Sequence, residues 1–168
     1  MPLISLPSGY QVRQFDSYGS GLSGASRGKR KHLGTDLICT PDTPFPACIT
    51  GEALRHKRPY PDALQWDGVC IAGDSGIELT IFYLSPYEDI IGSFVSSTDD
   101  IGICQDIRLR YPKDKNHDTA CTPHVHVQAV WPASRSLPLS WISGADYIKY
   151  QSRIYANVES LAKLDGWT

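Results

Sequence analysis

The residues best equipped to do chemistry in this chain are its histidines, because only five occur in 168 residues and two of them, His124 and His126, stand together in "TPHVHVQ". On a β-strand, residues two apart point to the same face and lie roughly 6.6 Å apart at ~3.3 Å rise per residue. Both imidazoles can therefore address one site: either both bind a single metal ion, or one binds it while the other stands beside the remaining coordination position. A second constellation lies upstream in "RGKRKHLGTDL", residues 27 to 37, where His32, Gly34 and Asp36 alternate behind a basic run. A straight strand would hold the His32 and Asp36 backbones roughly 13 Å apart, too far to share an ion through ~2.1 Å bonds. The chain must bend there, and Gly34 is expected to supply the freedom. The segment reads as a bent two-ligand clip and "HVH" as its strand-borne partner. Ligands of the types His, Asp and His suit Zn²⁺ and leave a fourth position for water. His56 and His117 occupy polar, loop-like surroundings and are expected at the surface.

The elements that must position these residues are mostly short strands. Up to about residue 30 the chain is rich in Gly and Ser ("SYGSGLSGASRG"), which predicts a long loop leading into the clip. From there to about residue 130, β-prone runs alternate with turn residues: "DLICT", "PACITGEAL", "GVCIAG", "IELTIFYL", "GSFVSS", "IGICQDIRLRY" and "HVHVQAVW". The tail differs. Tyr147, Tyr150, Ile154, Val158 and Leu161 recur at helical spacings up to Gly166, after the Pro-containing linker "WPASRSLPLSW". The expectation is a mainly β, antiparallel domain over residues 1–132, then over 133–168 a linker and one amphipathic C-terminal α-helix that packs on the domain or docks to another chain.

Composition narrows the function classes. A chain of this length is one domain with a self-sufficient core. A formal net charge of -2 with 20% charged residues makes no electrostatic case for nucleic acid. Arg27, Lys29, Arg30 and Lys31 read as a solvated basic loop. No apolar run is long enough to span a bilayer, and "MPLISLPSGYQVRQ" lacks the charged start and apolar stretch of a secretory signal. The five scattered cysteines contain no C-x-x-C pair and are expected as buried thiols. There is no internal repeat, Gly-rich phosphate loop or nucleophile elbow.

"H-L-G-T-D" followed far downstream by "H-V-H" resembles the lysostaphin/LytM-type zinc endopeptidases, whose signature is H-x-G-x-D plus H-x-H. The likeness extends over roughly residues 9 to 131: "FDSYGS" is similar to the family's upstream Gly-containing segment, "TPDTPFPACITGEAL" to its "G-T-P-V-x-A-x-x-x-G" strand pair, and "STDDIG" to its "G-x-x-I-G" turn. The resemblance implies the antiparallel β-fold of that family and makes His32, Asp36 and His126 zinc ligands. It leaves His124 as the unliganded histidine beside the metal, able to move a proton from water to the leaving amine. The implied reaction is metal-assisted hydrolysis of a peptide bond in bacterial peptidoglycan.

One position departs from the pattern. The family usually carries a second catalytic histidine in an "A-H-L" segment, and here "IFYLSP" places Tyr83 there. A tyrosine cannot act as a cation, but its neutral hydroxyl can donate to a developing oxyanion. The same substitution is similar to the leukocyte-derived chemotaxin branch, which shares fold and zinc site and is regarded as non-peptidase. "GVCIAG", "IFYLSP" and "HLGTDLIC" look like that branch's strands. Two readings follow: a zinc endopeptidase acting on the wall, or a zinc-stabilised binding module of the same fold. With no export signal expected, the enzyme reading needs a delivery route, such as a phage virion whose tail proteins the C-terminal helix would dock against.

Overall fold

The structure is a computed structural model, and it describes residues 4–74, 76–131, 147–150, 153–156 and 159. The period-two runs of the sequence become one antiparallel sheet of eight strands. They are β1 (Thr35–Ile38), β2 (Gly51–His56), β3 (Gly68–Gly73), β4 (Glu78–Phe82), β5 (Phe94–Val95), β6 (His124–Trp131), β7 (Tyr147–Tyr150) and β8 (Arg153–Ala156). Their spatial order is β5-β2-β3-β4-β6-β8-β7, with β1 also on β6.

The longest strand, β6, organises the rest. One of its edges pairs with β4, from His126 opposite Phe82 to Val130 opposite Glu78. The other edge is shared end to end: β1 takes His124 to Val127, and β8 takes Ala129 to Trp131. Alternation along β6 then splits its side chains between two environments. Val125, Val127, Ala129 and Trp131 enter the core with Leu37, Val69, Ile71, Leu79 and Ile81. The intervening His124, His126 and Gln128 line a cleft on the opposite face. A smaller sheet of Leu84–Pro86, Asp100–Cys104 and Pro44–Pro46 adds Phe45, Leu84 and Ile101 to the same core.

Two regions differ from their sequence reading. The Gly/Ser-rich N-terminal stretch carries two short ladders, Phe15–Asp16 with Gly19–Ser20 and Ser26–Arg27 with Arg30–Lys31, where a long loop was expected. The predicted C-terminal helix is not found over Tyr147, Tyr150 and Ile154, which belong to the β7–β8 pair. The physical reason is composition: "YIKY" and "RIYA" are aromatic and β-branched, and an unfilled edge of β6 rewards that preference more than helical spacing does. Val158, Leu161, Gly166 and the linker lie outside the described residues. Among the described residues no helix is long and apolar enough to cross a membrane, and all five cysteines are free, Cys39 half-buried and the others buried.

The core holds one misplaced polar atom. Thr35 is fully buried and its Oγ1 has no hydrogen-bond partner among the described residues. Thr35→Val is therefore expected to raise unfolding free energy by about 1 kcal/mol, whereas Ile81→Ala, truncating a fully buried β4 side chain, should lower it by about 2–5 kcal/mol. Urea denaturation of the two variants beside wild type checks both signs.

Candidate metal centre

The site is assembled by register. Asp36 of β1 lies directly opposite His126 of β6, and antiparallel partners share a face. Phe82 flanks His126 on its other side, with ring centroids 5.7 Å apart. His32 arrives from the Arg30–Lys31 strand through a bend at Gly34. That glycine is required for space: a Cβ there would stand 2.4 Å from the Val127 carbonyl oxygen and 2.7 Å from His126 Nε2. The expected bend is present, but Gly34 has no positive φ, so close approach to β6 rather than unusual backbone freedom explains the residue.

Three atoms meet at the centre of the cluster. His32 Nε2 is 2.9 Å from His126 Nδ1 and 3.2 Å from Asp36 Oδ1, and His126 Nδ1 is 2.9 Å from the same oxygen. The outward nitrogens identify what points inward. His32 Nδ1 is 3.0 Å from the Leu22 carbonyl, which can only accept, so Nδ1 carries a proton and, in the uncharged tautomer, Nε2 is a lone pair. His126 Nε2 faces Gln128 Oε1 at 3.4 Å and leaves Nδ1 in the same condition. Tetrahedral ligands on ~2.1 Å bonds stand roughly 3.4 Å apart, a few tenths of an ångström more than these separations. Three lone-pair donors, two of them imidazoles oriented by outer carbonyl partners, fit Zn²⁺ and leave further coordination to a small molecule. His32, Asp36 and His126 are the group of the described residues whose ligand atoms all lie within 4.8 Å of one another.

The second oxygen of Asp36 is held from behind. Arg13 donates to Oδ2 through Nε at 3.1 Å and Nη2 at 2.9 Å, while its Nη1 reaches Asp16 at 2.8 Å. Burial works to raise the Asp36 carboxyl, but its contacts with the His126, His32 and His124 side chains hold it well below the usual range. Arg13 is only 3% exposed, and a cation buried so deeply is tolerated because two carboxylates answer it.

His124 stands beside the cluster without joining it. Its Nδ1 donates to the Thr122 carbonyl at 2.6 Å, and its Nε2 is 3.6 Å from Asp36 Oδ2, beyond hydrogen-bond range. Burial pushes its pKa below the ordinary imidazole value against the pull of Asp36, so the ring is neutral with Nε2 as a free base. Tyr83 meets it edge-on, with centroids 5.5 Å apart at 89°. Tyr83 has φ 64°, a left-handed conformation rare outside glycine. Its hydroxyl is 2.9 Å from that of Tyr60, which is 2.7 Å from that of Tyr111, and burial pushes all three phenols up. The whole opens into a cleft of about 380 Å³.

The structure places His32, Asp36, His124, His126 and Tyr83 around one cleft. His56 is exposed but ends strand β2 instead of sitting in a loop, and bonds Asp67 at 2.7 Å. His117 is half-buried, stacked on Tyr18 at 3.9 Å between centroids. Gln128 continues the H-V-H-V-Q alternation and was legible from it. Arg13, Tyr60 and Tyr111 carry no local motif and come to the site only through long-range packing.

No protein-family profile matches the chain. Leukocyte cell-derived chemotaxin-2 of Mus musculus is 30% identical over 112 residues, covering 66% of this chain and 72% of that protein. Among solved structures, lysostaphin from Staphylococcus simulans superposes with a TM-score of 0.55 at 18% identity, over 89% of this chain and 57% of its own. The catalytic domain of the prophage-encoded M23 protein EnpA from Enterococcus faecalis gives 0.52 at 15% identity, over 76% of this chain and 85% of its own. At these identities the two structures establish a shared fold.

Gly34→Ala tests the packing that builds the cluster. The added methyl meets backbone that must shift, so stability is expected to fall by about 1–3 kcal/mol. The ring resonances of His32 and His126 should move together in NMR spectra while those of His117 stay in place.

Proposed function

The chain belongs to the lysostaphin/LytM-type metallopeptidase family, and from that membership we propose that it is a zinc-dependent endopeptidase hydrolysing peptide bonds of bacterial peptidoglycan. The observation that carries the reading is the inward convergence of lone pairs from His32, Asp36 and His126 with a neutral His124 beside them. In this reading those three residues hold Zn²⁺. Zinc, when bound, supplies Lewis-acid polarisation of the scissile carbonyl and a lowered pKa for the attacking water.

The chain's own groups do the rest. Thr122 fixes the His124 tautomer, so Nε2 is the atom that takes the proton from water and then delivers it to the leaving amine. Tyr83, held neutral by burial, donates its hydroxyl to the oxyanion that develops on the carbonyl. Arg13 offsets the far oxygen of Asp36 and keeps that carboxylate ionised and fixed. Action on the wall requires passage out of the cell, and delivery on a virion belongs to this proposal. The competing reading, a zinc-binding module without turnover, is supported by Tyr83 at the position of the second histidine and by the chemotaxin relative.

Zymography on purified cell walls separates the two readings. Zinc-loaded wild type should clear the wall and lose activity to a chelator. His124→Ala should keep one equivalent of zinc and lose clearing, Asp36→Ala should lose the zinc, and Tyr83→Phe should lower kcat about 10²- to 10³-fold. Wild type that holds stoichiometric zinc and releases nothing across a pH series would establish the binding module.

A further inference from the structure

The basic run at residues 27–31, expected to be a solvated loop, divides on folding. Arg27 and Arg30 are directly opposed across their two-residue ladder, and both line the metal cleft. Like charges directly opposite each other weaken a ladder, and nothing on this hairpin offsets the cost. Arg27 Nη2 donates to the Ser20 carbonyl at 2.6 Å and lies 3.9 Å from an Asp36 oxygen that Arg13 already engages. Arg58 lines the cleft from the segment after β2; its nearest carboxylate, Asp67, is 3.9 Å away and bonded to His56 at 2.7 Å. Asp36 is the sole carboxylate among the described residues lining the cleft, against four arginines.

The two groups of arginines stand at opposite ends. Asp36, His126, Phe82 and Gly68 form a row across four neighbouring strands, with the arginine hairpin leading into its Asp36 end. Lys57 donates its backbone N–H to Gly68, which anchors the segment bearing Arg58 at the other end. At ~4.8 Å per strand the row is roughly 14 Å long, the length of about four extended residues. Arginines placed at the two ends of such a row can meet carboxylates on a peptide lying across the cleft, through charge-assisted and bidentate contacts.

We propose that the cleft selects acidic peptides, with one substrate carboxylate against Arg27 and Arg30 and another against Arg58. The proposal rests on the peptidase reading only for the fate of the bound peptide.

The test uses capped pentaglycine peptides carrying glutamate or glutamine at the first or the fifth residue, a separation of about four extended residues. Binding to zinc-loaded His124→Ala should favour glutamate over glutamine by roughly tenfold, as expected for a charge-assisted pair. Arg30→Gln should erase that ratio at one position and Arg58→Gln at the other; a ratio internal to each variant does not respond to loss of folded protein. Glutamate preference without cleavage by wild type supports the arginine-lined cleft as selective for acidic peptides and removes the peptidase reading. Cleavage with no glutamate preference does the reverse. Ratios unchanged in both arginine variants, or inorganic phosphate binding as tightly as the glutamate peptides, would overturn the proposal.

Discussion

Asp36 is a carboxylate almost without solvent, and a charge in that position persists only where the protein answers it on every side. One oxygen faces the imidazoles of His32 and His126, and the other faces the Arg13 guanidinium. Each partner comes from a different element, so satisfying this one group fixes the placement of the N-terminal segment, the basic hairpin, β1 and β6 relative to one another. Gly21 shows how tight that fixation is: a Cβ there would stand 2.7 Å from the Asp36 Cβ and 2.8 Å from that of Arg13.

The fold turns this local demand into an open site by using the two faces of β6 differently. Valines at 125 and 127 anchor the strand in the core, which frees the histidines at 124 and 126 to project the other way with little latitude in direction. Side chains carried on a strand packed so firmly are held in one arrangement, as a candidate metal centre requires. Tyr83 follows where β4 ends, and its left-handed backbone aims the ring at His124 while its hydroxyl joins the Tyr60–Tyr111 chain.

Much of this was legible in the sequence, for identifiable reasons. Period-two alternation in "HVHVQAVW" specifies a strand with both histidines on one face, and H-x-G-x-D beside H-x-H is specific enough to bring His32 and Asp36 to them. The glycine was legible as a glycine but not in its cause, since a clash with a carbonyl on a distant strand has no local signature. Arg13 was silent because an isolated arginine looks like a surface residue until its two carboxylates are placed. The basic run was read correctly as solvated at Lys29, Arg30 and Lys31, which are exposed, but only the ladder register shows that Arg27 and Arg30 are paired beside the cleft. In the tail, tyrosines and an isoleucine at helical spacing also satisfy a strand, and the vacant half-edge of β6 decided between them.

The shared edge of β6 also says when the site comes into being. Asp36 and His126 are 90 residues apart in the chain, and every pairing that holds β6 in place is long-range. Contacts of that kind form late, because the entropy of closing the intervening loop is lost before the pairing returns it. A chain emerging from the ribosome carries His32 and Asp36 early, but they have no partner until the strand beginning at His124 has been made and inserted. Assembly of the three-residue cluster thus coincides with near-completion of the fold.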